Sequence, residues 1–311
     1  MRFIATAVLL VLAYAGAGQE LTDEQLVPYP LDLMRVREVW RYGRGAGVHV
    51  VMIDTGIDSR HPDLVAGVAG GINLVGDPDD FSDEFVHGTL GAGVIGARDN
   101  GFGIVGVAPE CRLWAVKYTD GTSSAADAFG SSVDWILQKK AEHGGNWIVT
   151  AQYIRSTQPL PSEEAAIRRL REANVVIIAS AGNDAQTFEG VLYPAGSAGV
   201  IGVGAVDERG DVTRYSSPGP HVDVVAPGNN IVTTMALDQG LVTWISTGGQ
   251  RFFGSRMHIQ SPRGGTGLLV NANIGRPEDF GGREPGFIAI VRRTDALTFQ
   301  QQGRNAVAAG A

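Results

Sequence analysis

Asp54 closes the apolar run Val50-Val51-Met52-Ile53 and is followed by Thr55-Gly56. His87 opens the small-residue stretch Gly88-Thr89-Leu90-Gly91-Ala92-Gly93, and Asn183 ends Ser180-Ala181-Gly182. A carboxylate, an imidazole and a side-chain amide are three of the four groups needed for acyl transfer through a hydroxyl nucleophile. The carboxylate holds and charge-stabilises the imidazole, the imidazole takes the hydroxyl proton, and the amide donates to the developing oxyanion. The fourth group, the attacking hydroxyl, is in none of these runs.

The elements that must position these residues can be read from apolar periodicity. Val48–Ile53, Leu113–Tyr118, Trp147–Ile154, Val175–Ala179 and Val200–Val206 are β-branched or aromatic runs of strand length. Between them, His87–Ala97, Ala126–Glu142 and Ser162–Ala173 have helical patterning. The last is expected to start at Ser162 as N-cap, with Glu163 and Glu164 in its first turn and Ala166, Leu170 and Ala173 on one face. This alternation predicts an α/β fold with a parallel sheet covered by helices on both faces. Functional groups then gather at the carboxyl ends of the strands, where Asp54 and Asn183 both fall.

The composition narrows the function classes. A net charge of −8 disfavours nucleic acid or an anionic membrane surface as the main partner. Hydrophobic residues at 44% and charged residues at 19% are ordinary for a globular enzyme. Arg2, the apolar stretch Phe3–Ala13 and the small residues up to Ala17 predict a secretory signal over residues 1–17, and no stable membrane insertion. The protein is thus expected to be secreted, extracellular or periplasmic. Cys111 is the single cysteine, so no intrachain disulfide forms, and it is expected to be a small buried residue beside a strand. After about Gly240 the composition shifts to short segments divided by glycine pairs, which predicts a second module.

In order along the chain stand Val50-Val51-Met52-Ile53-Asp54-Thr55-Gly56-Ile57-Asp58, His61-Pro62-Asp63-Leu64, His87-Gly88-Thr89, Gly106-Val107-Ala108-Pro109, Ala179-Ser180-Ala181-Gly182-Asn183 and Ala226-Pro227-Gly228. The series resembles the subtilisin-like serine proteases (subtilases), from roughly Asp32 to Thr234. The resemblance implies a subtilisin-like catalytic domain over 30–240 and endopeptidase chemistry on protein or peptide substrates. Asp54 would orient, His87 would be general base and acid, and Asn183 would complete the oxyanion hole. It implies no cofactor for the chemistry. A structural Ca²⁺ would be held through oxygen by Asp63 and Asn100, suitable ligands for a hard cation.

The likeness breaks off at the nucleophile. Subtilases carry it in Gly-Thr-Ser-x-Ala-x-Pro after Ala-Pro-Gly, and nothing of that form follows Ala226-Pro227-Gly228. Ser246-Thr247-Gly248-Gly249 reads as a reversed, helix-incompatible run, Ser255 and Ser261 lack the small-residue helix behind them, and Gly121-Thr122-Ser123-Ser124 comes too early. Gly286–Arg293, Leu297–Phe299 and Asn305–Ala311 resemble the start of a protease-associated domain, β-rich and read over 248–311. Many subtilases insert that module before the serine, so the expectation is a chain cut within it and inactive as written. The alternative is a non-catalytic, peptide- or protein-binding scaffold. Two departures accompany this. By spacing, Arg155 stands where the family places a glycine beside the substrate groove. The stretch from Gly18 to about Tyr29 is short for a folding prodomain.

Two other motif matches carry less. Asp54-Thr55-Gly56 matches the aspartic-protease signature, but that chemistry needs a second such carboxylate, and no second Asp-Thr-Gly or Asp-Ser-Gly occurs. Gly91-Ala92-Gly93-Val94-Ile95-Gly96 matches the dinucleotide fingerprint without the preceding strand that gives it meaning.

Overall fold

A computed structural model describes residues 25–152 and 156–237, and beyond them Glu278 and the backbone of four short strands. The expected signal segment, Arg155, Ser255, Ser261, Leu297–Phe299 and Asn305–Ala311 lie outside the described residues. The described residues fall in two compact units, one spanning Thr22–Gln239 and the other holding the strands after Gly240.

The first unit contains helices α1 (Tyr29–Leu33), α2 (Val36–Val39), α3 (His87–Gly96), α4 (Ala128–His143) and α5 (Pro161–Glu172). Its strands are β1 (Val48–Asp54), β2 (Val68–Asn73), β3 (Arg112–Lys117), β4 (Asn146–Ala151), β5 (Val175–Ser180), β6 (Ile201–Val206) and β7 (Val224–Pro227). They form one sheet in the order β2-β3-β1-β4-β5-β6-β7, and every pair is parallel. The chain thus turns from one side of β1 to the other, which places a crevice at the carboxyl end of β1.

The near-continuous apolar run of β1 is explained by burial on both faces. Val51 and Ile53 point into a cluster with Trp114, Val116, Phe129, Ile136, Ile167 and Leu170, beneath α4 and α5. Val50 and Met52 point the other way, into a cluster with Ile57, Leu64, Ala92 and Leu113, beneath α3. Alternate residues of one strand therefore build two separate cores, as the period of two requires.

Several boundaries differ from the sequence reading. Helix α5 does not start at Ser162. Leu160 occupies the N-cap with no side-chain bond and Pro161 opens the helix, because a proline fixes the helical φ and lacks the N–H that would go unpaired there. Helix α4 starts at Ala128, capped by Asp127, whose side chain accepts from the Gly130 N–H at 2.6 Å. Strand β4 ends at Ala151. Strands β2 and β7 are absent from the sequence reading. Val68-Ala69-Gly70-Gly71-Ile72-Asn73 is glycine-broken and carries a register shift between Val68 and Gly70, and β7 is a four-residue, partly exposed edge.

In the second unit β8 (Thr243–Thr247) pairs antiparallel with β9 (Gln250–Gly254), and β10 (Leu269–Asn271) pairs parallel with β11 (Ile288–Ile290). Ser246 therefore lies within a strand and not at a helix start.

Cys111 is fully buried, and burial pushes its thiol up to about 11 against the nearby Arg98 charge. A neutral, enclosed thiol is unreactive. It should resist a water-soluble disulfide reagent in the native protein and react once the chain is unfolded. Stoichiometric labelling of the native protein would contradict this.

Candidate active site

Asp54 is the last residue of β1 and is 1% exposed. The chain leaves it through Thr55 and Gly56, where φ of 114° is a backbone conformation that glycine supplies without strain. His87 is the first residue of α3, and its Nδ1 lies 2.8 Å from Asp54 Oδ1. An ionised carboxylate only accepts, so the proton on this bond belongs to Nδ1, and Nε2 is the nitrogen that presents a lone pair. Asp54 Oδ1 also accepts from the Thr55 N–H at 2.8 Å, while the buried Oδ2 has no hydrogen-bond partner among the described residues. Burial opposes a charge on the half-buried His87 ring. The Asp54 hydrogen bond and the Asp54 and Asp83 charges outweigh it, so the imidazole holds its proton more firmly than an ordinary histidine.

Small residues let α3 come this close to β1. A Cβ on Gly88 would stand 2.0 Å from the Gly56 carbonyl oxygen, and one on Gly93 would stand 2.2 Å from Thr234 Oγ1. A later segment closes on the same helix. Thr233 and Thr234 Oγ1 donate to the Leu90 and Thr89 carbonyls, each at 2.7 Å, and the Leu237 N–H donates to Asp58 Oδ2 at 2.8 Å. The glycines of the dinucleotide-like run thus sit inside α3 and serve packing.

Asn183 follows β5 on an exposed loop. The loop is fixed from below: Gly182 (φ 108°) accepts from the Ser217 N–H at 2.9 Å, and the Asp184 N–H donates to Ser217 Oγ at 3.1 Å. Among the described residues the Asn183 side chain makes no hydrogen bond. Strands β1 and β5 are separated by β4 alone, so their carboxyl ends stand about 10 Å apart. Residues 153–155, where the groove-edge arginine was expected, lie outside the described residues.

Asp63 and Asn100 come together as well. Asn100 Nδ2 is 3.2 Å from Asp63 Oδ1, and Asp63 Oδ2 accepts from the Ile104 N–H at 3.1 Å. Sequence reasoning missed Gln25 here. Its Nε2 contacts the Arg98 carbonyl at 2.6 Å, the Ile104 carbonyl at 3.0 Å and Asn100 Oδ1 at 3.4 Å. Three oxygens converge on the Gln25 amide nitrogen beside the single Asp63 carboxylate; with that amide turned so that Oε1 and not Nε2 faces them, the set becomes all-oxygen and hard. That composition fits Ca²⁺ and not a softer metal. No cluster of three or more His, Cys, Asp or Glu residues able to hold a metal occurs among the described residues. Gln25 gave no sequence signal, because its partners lie more than seventy residues away.

Comparison with known proteins bears on the first unit from β1 onward. The subtilase family model matches residues 45–257. A thermostable alkaline protease of Halalkalibacterium halodurans is 34% identical over 217 residues, which cover 69% of this chain and 57% of that protein. The minor extracellular protease Epr of Bacillus subtilis is 31% identical over 215 residues, covering 68% of this chain and 32% of that protein. The major intracellular serine protease of the same species is 29% identical over 228 residues, covering 70% of each. The chain therefore spans less than two thirds of the first two relatives.

Proposed function

The chain belongs to the subtilase family, and from that premise we propose that it supplies the aspartate, the histidine and the oxyanion amide of a serine endopeptidase. Membership implies serine-protease chemistry on peptide or protein substrates. The contact that carries the assignment of roles is the 2.8 Å bond between Asp54 and His87 at the carboxyl edge of the sheet. His87 Nε2 would take the proton of the serine hydroxyl as it attacks the scissile carbonyl, and later return it to the leaving amine. Asp54 holds the ring in the required tautomer and stabilises the imidazolium. The Asn183 amide donates to the oxyanion.

Residues 1–311 contain no Gly-Thr-Ser-x-Ala-x-Pro segment, and in this reading the serine comes from sequence beyond Ala311, after a protease-associated module begun within 248–311. The chain by itself is then inactive. The resemblance of Gly286–Arg293 supports the module, and Phe3–Ala17 supports export. The relatives include both extracellular and intracellular enzymes. No helix among the described residues is long and apolar enough to cross a membrane.

A serine-directed fluorophosphonate tests the reading. Residues 1–311 should remain unlabelled, and the protein extended through its downstream sequence should be labelled and hydrolyse casein. An extended protein that binds peptide without labelling would establish the non-catalytic scaffold, which the missing serine segment favours.

We also propose a structural Ca²⁺ held by Asp63, Asn100 and Gln25, with the Arg98 and Ile104 carbonyls. It would tie residue 25 to the loop after α3 and take no part in catalysis. At a hundred times its Kd such an ion contributes about 2.7 kcal/mol, or roughly 5–10 °C in Tm for a domain of this size. Chelation should lower Tm by that amount, and Asp63→Ala should abolish the calcium response. Equal melting with and without chelator would remove the site.

A further inference from the structure

The first turn of α3 is held by a residue outside the His-Gly-Thr motif. Val86, its N-cap, has a left-handed backbone (φ 73°) and no capping side-chain bond. A β-branched residue there costs about 1–3 kcal/mol and persists only when its surroundings impose it. Asp83 imposes it. Its side chain is buried, at 5% exposure. Oδ1 accepts from the Val86 N–H and Thr55 Oγ1, both at 2.8 Å, and from the Phe85 N–H at 3.1 Å. Oδ2 accepts from the Thr89 N–H and Thr89 Oγ1, both at 2.7 Å.

Thr55 Oγ1 in turn accepts from the Gly88 N–H at 2.8 Å. Asp83 and Thr55 thus satisfy the Thr89 and Gly88 N–H groups, two of the donors that a helix start leaves unpaired. The Thr55 N–H donates to the same Asp54 oxygen that meets His87. A closed ring results, running from Asp54 through Thr55 and Asp83 into α3 and back through His87. The loop holding Asp83 is itself anchored. Lys117 Nζ, buried beside Asp54 in the sheet register, donates to the Ser82 carbonyl at 2.7 Å and to Glu84 Oε2 at 3.1 Å.

We propose that Asp83 is a positioning residue for the proposed acid–base pair: its buried carboxylate pins the first turn of α3 to Thr55 and so fixes the His87 ring against Asp54. Five donors converge on it and no acceptor does, so the site requires an anion with two accepting oxygens. Asparagine has nearly the same shape but turns one of those oxygens into a donor facing other donors. Asp83 is also, with Asp54, one of the two anions that favour the His87 imidazolium.

The inference rests on reading Asp54 and His87 as the acid–base pair, but its test reads the imidazole ring and not turnover. Nitrogen–proton correlation spectra of the histidines, recorded across pH on residues 1–311, follow the His87 titration and the Nδ1 proton shared with Asp54. In Asp83→Asn the His87 midpoint should move to lower pH, by about threefold or more in proton affinity, and the Nδ1 proton signal should weaken or vanish. Thr55→Val cuts the link while keeping the charge. It should lose the Nδ1 signal with a smaller change in midpoint. A folded Asp83→Asn protein with an unchanged His87 midpoint and Nδ1 signal overturns the proposal, with the remaining histidines as internal controls. Should Asp83→Asn fail to fold, an unchanged Nδ1 signal in Thr55→Val overturns it equally. Absence of peptidase activity in the extended protein would sink the functional reading and leave this result standing.

Discussion

In a protein extended to include the proposed serine, replacing His87 by alanine is expected to lower kcat by about 10⁶-fold, and Asp54→Asn by about 10⁴-fold, the orders of magnitude seen for serine-protease triad replacements. Their inequality follows from the geometry. Without His87 no group takes the hydroxyl proton. Without the Asp54 charge the ring remains, but an amide at that position can donate to Nδ1 and place the imidazole proton on the wrong nitrogen. The pH profile separates the two roles further. His87 acts as base only when neutral, and its proton affinity is raised by Asp54 and Asp83. Activity should therefore fall on the acid side at a pH above the ordinary imidazole value of about 6.5. In Asp54→Asn the residual activity should fall at a lower pH. Initial rates on a chromogenic peptide from pH 5 to 9 provide the check, and an acid limb unmoved by Asp54→Asn would contradict the assigned roles.

Gly88→Ala is the second large effect. Alanine is the better helix former by about 1 kcal/mol, so an exposed helical site would gain stability from the change. Here the new Cβ would lie 2.0 Å from the Gly56 carbonyl oxygen, and its nearest neighbours are all Gly56 backbone atoms, with no flexible side-chain end to give way. Steric overlap wins. Relief requires α3 to move away from β1 by about an ångström or more, at a cost near the 3 kcal/mol upper end for overpacked sites. For a domain of this size that is roughly 6–12 °C in Tm. The same movement breaks the 2.8 Å Asp54–His87 bond, so activity should fall beyond what lost stability explains. Gly91→Ala is the control. Its Cβ would meet the movable end of Gln152 at 2.3 Å and the Met52 methyl at 3.1 Å, and both can turn aside. Its Tm should change little. Equal melting of the two variants, measured by calorimetry, would contradict the close approach.

Much of this was legible in the residues because the informative signals are local. Strand β1, helix α3, and β5 and β6 are strong apolar or small-residue runs, and Asp54 and His87 sit at their ends. The structure adds that these ends meet. What was not legible depends on distance or on burial. Strand β2 has two glycines and a register shift, so its period of two is broken, and β7 is too short and exposed to show one. Gln25 finds its partners near residue 100. Asp83 stands among Asp77, Asp79, Asp80 and Glu84, a run that reads as a solvated acidic loop. Only its burial sets it apart from them. Ser162 was a reasonable cap in sequence, but the proline before it had already opened the helix.

The hydroxyls of Thr233 and Thr234, which donate to carbonyls of α3, give the protein a timetable. Thr89 and Thr234 are 145 positions apart, so at about 5–20 residues per second the ribosome needs roughly 7–30 s to deliver the second after the first. Through that interval the nascent chain already has its histidine helix but not the clasp that seats it. The packing of the histidine helix is therefore completed late in synthesis, well after the residues of the Asp54, Thr55, Asp83 and His87 contacts have all left the ribosome.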